Sequence, residues 1–183
     1  MREFKDIAYI SDSDPGHTLD IYLPETSPGS NQSNAQLPLV VYVHGGAWRT
    51  DDKSTVAYIG PGFVQASDNR IAVAIINYRL STRNTDSVRH PEHLNDVRSA
   101  LEFLTTSNEY PGSEQIDRNN VFLVGHSAGA HLAMMSVLDN TEQQRWLGCI
   151  RGVFGIGGIY DIPGLLRQYP GYSDFVEMAF NQE

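Results

Sequence analysis

Four stretches of the chain run almost unbroken in apolar residues: 39–43, 71–76, 121–124 and, with glycines interspersed, 153–159. Runs of that length bounded by turn residues read as strands buried on both faces, as a parallel sheet covered by helices requires. Helical patterns fall between them. Residues 91–106 place Leu94, Val97, Leu101 and Leu104 on one face, with Pro91 suited to the first turn because its missing N–H costs nothing there. Residues 130–138 form a small, apolar run that reads as a buried helix, and 54–67 read as a helix interrupted at Pro61-Gly62. Ahead of these, 7–10 and 18–23 read as two strands joined by the turn Ser13-Asp14-Pro15-Gly16. The second alternates, with Leu19, Ile21 and Leu23 on one face and Thr18, Asp20 and Tyr22 on the other, the pattern of an antiparallel pair at a sheet edge. Residues 24–38 read as a polar surface loop, and 161–183 as loop and short helices. The pattern predicts one α/β domain over 1–183, a mostly parallel sheet with antiparallel N-terminal edge strands and helices on both faces.

The strand at 121–124 leads straight into Gly125-His126-Ser127-Ala128-Gly129 and then into the helical run. A serine at such a strand-to-helix turn takes a strained backbone conformation that lifts its hydroxyl above the sheet. Gly125 and Gly129 are needed because strand, turn and helix approach too closely for a Cβ. Ser127 is the candidate nucleophile. His44-Gly45-Gly46-Ala47-Trp48 sits at the C-terminal end of the first buried strand, where open α/β sheets handle ligands. Adjacent glycines leave backbone N–H groups uncovered, so Gly45 and Gly46, with the N–H of Ala128 after the nucleophile, are the candidate oxyanion donors. A plain glycine turn leaving a strand is the other reading of that loop. His44 is read as fixing it. Trp48 and Tyr78 are candidates for lining the substrate site or for the core.

Composition narrows the partners. A net charge of -9 argues against nucleic acid and anionic membrane, both of which would repel the chain. Cys149 is the only cysteine, which excludes an internal disulfide, and the N-terminus carries no basic, apolar leader, so a cytoplasmic location is expected. The apolar runs fall short of a membrane span. His90 and His93 flank Glu92 without zinc-ligand spacing, so no metal is expected. Gly155-Ile156-Gly157-Gly158-Ile159-Tyr160 lacks the third glycine of a dinucleotide fingerprint, and no cofactor is expected.

His44-Gly45-Gly46-Ala47-Trp48 together with Gly125-His126-Ser127-Ala128-Gly129 resembles the α/β-hydrolase fold. The His-Gly-Gly-x-Trp form is similar to the kynurenine formamidase (arylformamidase) branch and to carboxylesterases of the isoprenylcysteine methylesterase-like type. Asn77-Tyr78-Arg79-Leu80 and Gly158-Ile159-Tyr160-Asp161 also resemble that branch. The resemblance implies a serine hydrolase of small esters or aryl formamides, in its formamidase version converting N-formylkynurenine to kynurenine and formate. No cofactor is implied. The expected partner is a small-molecule substrate, with a homodimer left open.

In that fold the base and its acid follow the nucleophile along the chain. After Ser127 the only histidine is His131, one turn into the helix and read as a packed side chain. Asp161 follows a strand on the correct side of the sheet and is read as anchoring its loop; Asp139 and Asp174 have no argument beyond presence. The chain is therefore expected to hold nucleophile and oxyanion loop without acid and base, and to lack the family's final strands. An inactive fragment or binding module is the competing expectation.

Overall fold

The computed structural model describes residues 1–12, 14–25, 36–83, 88–138 and 144–180. Its strands are β1 (Arg2–Ala8), β2 (Thr18–Leu23), β3 (Leu37–Val43), β4 (Ala72–Ile76), β5 (Ile116–His126) and β6 (Ile150–Ile156). Its helices are α1 (Ile59–Ala66), α2 (Glu92–Thr106), α3 (Ala128–Leu138), α4 (Ile162–Gln168) and α5 (Ser173–Ala179). One sheet runs in the order β1-β2-β4-β3-β5-β6. β1, β2 and β4 pair antiparallel, while β4, β3, β5 and β6 are mutually parallel. This is the expected α/β architecture, and the parallel half brings the C-terminal ends of β3 and β5 side by side.

The side-chain alternation of the strands feeds two cores. On one face Leu39, Val41 and Val43 of β3 and Leu123 of β5 pack with Leu94, Val97 and Leu101 of α2 and Leu132 of α3. On the other, Val40, Tyr42, Val73 and Ile75 pack with Val64 of α1. Both faces of β3, β4 and the centre of β5 are thereby covered, and their continuous apolar sequence follows from that. β6, expected to be buried on both faces, instead leaves Phe154 57% and Ile156 50% exposed because it is the outermost strand.

Several elements depart from the sequence expectations. β1 and β2 form the expected antiparallel pair at the sheet edge, β1 outermost, but the polar face of β2 is buried too: Asp20 is 2% and Tyr22 1% exposed. Asp20 is tolerated there because Lys53 reaches it at 2.9 Å and Lys5 at 3.2 Å. β1 reaches back to Arg2 and stops at Ala8, with a register shift between Phe4 and Ile7 where Asp6 turns left-handed at φ 56°. α1 is continuous through Pro61-Gly62, because Pro61 falls in its first turn, where an N–H has no intrahelical partner to lose. β3 begins at Leu37, β4 at Ala72, and β5 is longer than its apolar centre at both ends. β6 opens at Ile150 and closes at Ile156, three residues before the expected end. Pro91 stands at the N-cap of α2 rather than inside its first turn. Ser13 and most of the loop over 24–38 lie outside the described residues, as does Asp139.

Candidate active site

β5 ends at His126, α3 begins at Ala128, and Ser127 alone makes the turn, with φ 53°. A non-glycine residue in that region is strained by roughly 1 to 3 kcal/mol and persists only where its surroundings over-determine it. Here the Ser127 N–H donates to the Ile156 carbonyl of β6 at 2.9 Å, and the Ser127 carbonyl accepts from Ala130 and His131 at 3.1 and 3.2 Å. The two flanking glycines mark where three segments touch. A Cβ at Gly125 would lie 2.3 Å from the Gly129 carbonyl oxygen, and one at Gly129 would lie 2.2 and 2.3 Å from the carbonyl oxygens of Val43 and His44. The first turn of α3 therefore rests on the end of β3, where the glycine loop starts.

That loop abuts the elbow directly. A Cβ at Gly45 would stand 3.1 Å from His126 Nδ1 and 3.2 Å from Ser127 Cβ. Beyond it the backbone stays left-handed for three residues, Gly46 at φ 93°, Ala47 at 50° and Trp48 at 59°. Two sets of donors hold the loop's carbonyls. The Gly45 carbonyl accepts from Tyr78 Oη at 2.9 Å and from His44 Nδ1 at 3.0 Å. The Gly46 carbonyl accepts from the Arg49 and Thr50 N–H groups and from Thr50 Oγ1, each at 3.0 Å. In a trans peptide the N–H points opposite to the carbonyl, so the N–H groups of Gly46 and Ala47 face away from these anchors. Both residues are half-buried, whereas His44, Gly45 and Trp48 are buried.

His44 is neutral in this setting. Burial lowers its pKa, the Gly45 bond opposes that, and Nδ1 must carry the proton because a carbonyl can only accept. Its ring stacks on Tyr78 at 4.6 Å and 15°. Trp48, fully buried, meets His131 at 5.4 Å and Phe180 at 5.0 Å, both edge-on, with Phe175 of α5 at 6.4 Å. Arg49 completes the fastening, 2.8 Å from Asp174 and over the Phe175 ring. Trp48 and Tyr78 are thus core residues supporting the loop rather than the lining of an open pocket.

The remaining candidates separate cleanly. His131 Nδ1 donates to the Ile159 carbonyl at 2.9 Å, and burial lowers its pKa: it is a packed helix histidine tying the chain after β6 to α3. Asp161 caps α4, accepting the Gly164 N–H at 2.8 Å, and lies 3.7 Å from Arg167. Asp174 bridges Arg49 and Arg83. His17 bonds Asp12 and Asp96, and His93 bonds Ser81 at 2.9 Å. Among the described residues, no imidazole or carboxylate is hydrogen-bonded to the Ser127 hydroxyl, and no group of three or more His, Cys, Asp or Glu could hold a metal ion. No helix among them is long and apolar enough to cross a membrane. The Ala47 N–H, opposite the anchored Gly46 carbonyl, was not among the donors expected from the sequence, because which way a loop amide faces depends on the Arg49 and Thr50 bonds to that carbonyl.

A six-stranded, mostly parallel sheet with a strained serine at a strand-to-helix elbow defines the class: this is an α/β-hydrolase fold. The BD-FAE family model matches residues 19–158, and the chain belongs to that family. It is similar to a kynurenine formamidase of Meyerozyma guilliermondii, 38% identical over 77% of this chain and 51% of that protein. An isoprenylcysteine alpha-carbonyl methylesterase of Arabidopsis thaliana is 28% identical over 85% of this chain and 34% of its own length. Among solved structures, esterase B from Lactobacillus rhamnosis superposes with a TM-score of 0.72 at 23% identity, covering 97% of this chain and 54% of that one. The chain thus spans about half the length of the first of these curated relatives and about a third of the second.

Proposed function

We propose that the chain carries the nucleophile and oxyanion loop of a serine hydrolase acting on small esters or aryl formamides, with a kynurenine formamidase-like reaction as the narrower assignment. One observation carries this reading: Ser127, at φ 53°, is held at a strand-to-helix elbow against the glycine loop that follows β3. Ser127 Oγ would attack the substrate carbonyl carbon while a general base takes its proton. The carbonyl π pair moves onto oxygen, and the N–H groups of Gly46 and Ala128, joined by that of Ala47, would receive the negative charge. Fixed donors need no reorganisation during reaction, which is why each is worth roughly 3 kcal/mol in such sites. Collapse of the adduct expels the alcohol or arylamine with a proton, and water then hydrolyses the acyl- or formyl-serine. For N-formylkynurenine the products are formate and kynurenine. Of the three donors named in the sequence reading, Gly45 is the weakest, because the carbonyl anchors orient the amides of the two residues after it.

The kynurenine formamidase at 38% identity supports the formamide over the ester, and the methylesterase relatives support the reverse at lower identity. Incubation with a fluorophosphonate probe tests the core of the proposal: the chain should be labelled and Ser127→Ala should not. Turnover of an aryl formamide against p-nitrophenyl acetate then separates the two substrate classes. A second reading, a chain without hydrolytic turnover, draws on the lack of a base hydrogen-bonded to Ser127 among the described residues. Absence of probe labelling would favour it.

A further inference from the structure

A glycine loop has no side chains to hold it, so its shape must be imposed by neighbours. Around 44–46 that neighbour is Tyr78, just beyond the end of β4. Its ring is 1% exposed and lies flat on His44, and its hydroxyl reaches the Gly45 carbonyl at 2.9 Å and the His44 carbonyl at 3.2 Å. A phenol has one proton, so this is a three-centre bond with the Gly45 oxygen as the closer acceptor. Burial pushes the phenol pKa far above its usual value, which keeps that proton in place at neutral pH. His44 Nδ1 adds a second donor to the Gly45 oxygen at 3.0 Å. The Gly45–Gly46 peptide plane is thereby fixed at its carbonyl edge, and its opposite edge is the Gly46 N–H.

We propose that Tyr78 is a positioning residue for the reaction: by holding the Gly45 carbonyl from the core, its hydroxyl aims the Gly46 N–H toward the oxyanion beside Ser127. This rests on the hydrolase reading above. Tyr78 touches no reacting atom and acts through the loop. The His44 ring supplies the other half of the device, since stacking fixes where the hydroxyl sits and its own N–H shares the same acceptor.

Tyr78→Phe removes the hydroxyl and keeps the ring on His44, so the fold should persist with a near-unchanged melting temperature. Two measurements on the full chain test the role. First, fluorophosphonate labelling of Ser127 should slow by about tenfold with the half-saturating probe concentration unchanged, as expected when a transition-state donor is displaced rather than removed. Second, the sequence contains two Gly-Gly pairs, 45–46 and 157–158, so glycine labelled with carbonyl carbon-13 and nitrogen-15 gives one-bond coupled signals from those two peptides only. Tyr78→Phe should move the Gly45–Gly46 signal upfield in carbon and leave Gly157–Gly158 in place. General loosening would move both signals and lower the melting temperature. Labelling at the wild-type rate, or an unmoved Gly45–Gly46 signal, overturns the proposal while leaving the hydrolase reading intact. If neither protein is labelled, the hydrolase reading fails and with it the catalytic role of Tyr78; the coupled signal then decides only whether the hydroxyl holds the carbonyl.

Discussion

The Ser127 N–H donates to the Ile156 carbonyl at 2.9 Å, so the strained turn of the elbow is tied to the last residue of the neighbouring strand. The bond holds Ser127 at φ 53°, a conformation that glycine adopts without steric cost and serine does not. Ser127→Gly should therefore stabilise the chain by about 1 kcal/mol in urea unfolding, while eliminating probe labelling. Ser127→Val should destabilise it, because a β-branched residue is least at home there. Equal stability of the three proteins would mean that the turn stores no strain.

The contact between α3 and the end of β3 leaves no room for a methyl group. A Cβ at Gly129 would meet the Val43 and His44 oxygens at 2.2 and 2.3 Å, both backbone atoms that cannot swing aside. Gly129→Ala should cost about 3 kcal/mol or more in urea unfolding. Gly62 of α1 is the internal contrast. It has open space around its Cβ position, so Gly62→Ala should stabilise by about 0.5 to 1 kcal/mol through helix propensity alone.

His93 makes stability depend on pH in one direction. The Ser81 hydroxyl donates to the Val88 carbonyl and so accepts from His93 Nε2–H, leaving the imidazole neutral in a fully buried site. Burial holds its pKa down at about 4, with Asp96 opposing, against about 6.5 once unfolded. The unfolded chain therefore binds the extra proton first. This contribution to stability is complete above pH about 6.5 and is lost as pH falls toward 4, a change of about 3 kcal/mol. His44 and His131, whose pKa values burial also lowers, act in the same sense. Urea midpoints between pH 7.5 and 4 should fall steeply for the wild type and less so for His93→Gln. Parallel curves would show that His93 is not a source of the loss.

β3, β4 and β5 were legible because burial on both faces leaves continuous apolar runs. The elbow was legible because Gly125, Ser127 and Gly129 fall within five residues between an apolar strand and an apolar helix, although Val43, His44 and Ile156, which hold it, are distant in sequence. The extent of β2 was legible and the burial of its second face was not. Thr18, Asp20 and Tyr22 alternate as a solvated face would, and Asp20 is tolerated inside because Lys5 and Lys53, both distant in sequence, pair with it. Pro61 read as a helix break because its position within the helix depends on where the helix starts, which no capping side chain announces: Tyr58 at the N-cap makes no side-chain bond. Tyr78 was visible as a residue and invisible as a support, since its partners His44 and Gly45 are reached only through the pairing of β3 with β4.

Trp48 offers a separate test of how the glycine loop is held. Its ring is fully buried among His131, Phe175 and Phe180, yet its indole N–H has no hydrogen-bond partner among the described residues. An orphaned buried donor costs about 1 to 3 kcal/mol, and removing it recovers that amount. Trp48→Phe gives up packing volume but also removes the orphan, so its net cost should stay within about 1 kcal/mol. Trp48→Ala opens a cavity between the loop, α3 and α5 and should cost about 4 kcal/mol. The same pair separates stability from site geometry. Trp48 is the last of three left-handed residues, and its carbonyl accepts the Ser81 N–H at 2.8 Å, so the loop keeps its path in the phenylalanine variant as long as an aromatic ring fills the socket. Probe labelling of Ser127 should be near wild type in Trp48→Phe and strongly reduced in Trp48→Ala, even at a temperature where both remain folded. Fast labelling in a folded Trp48→Ala would show that the loop holds its shape through the Gly45 and Gly46 carbonyl anchors alone.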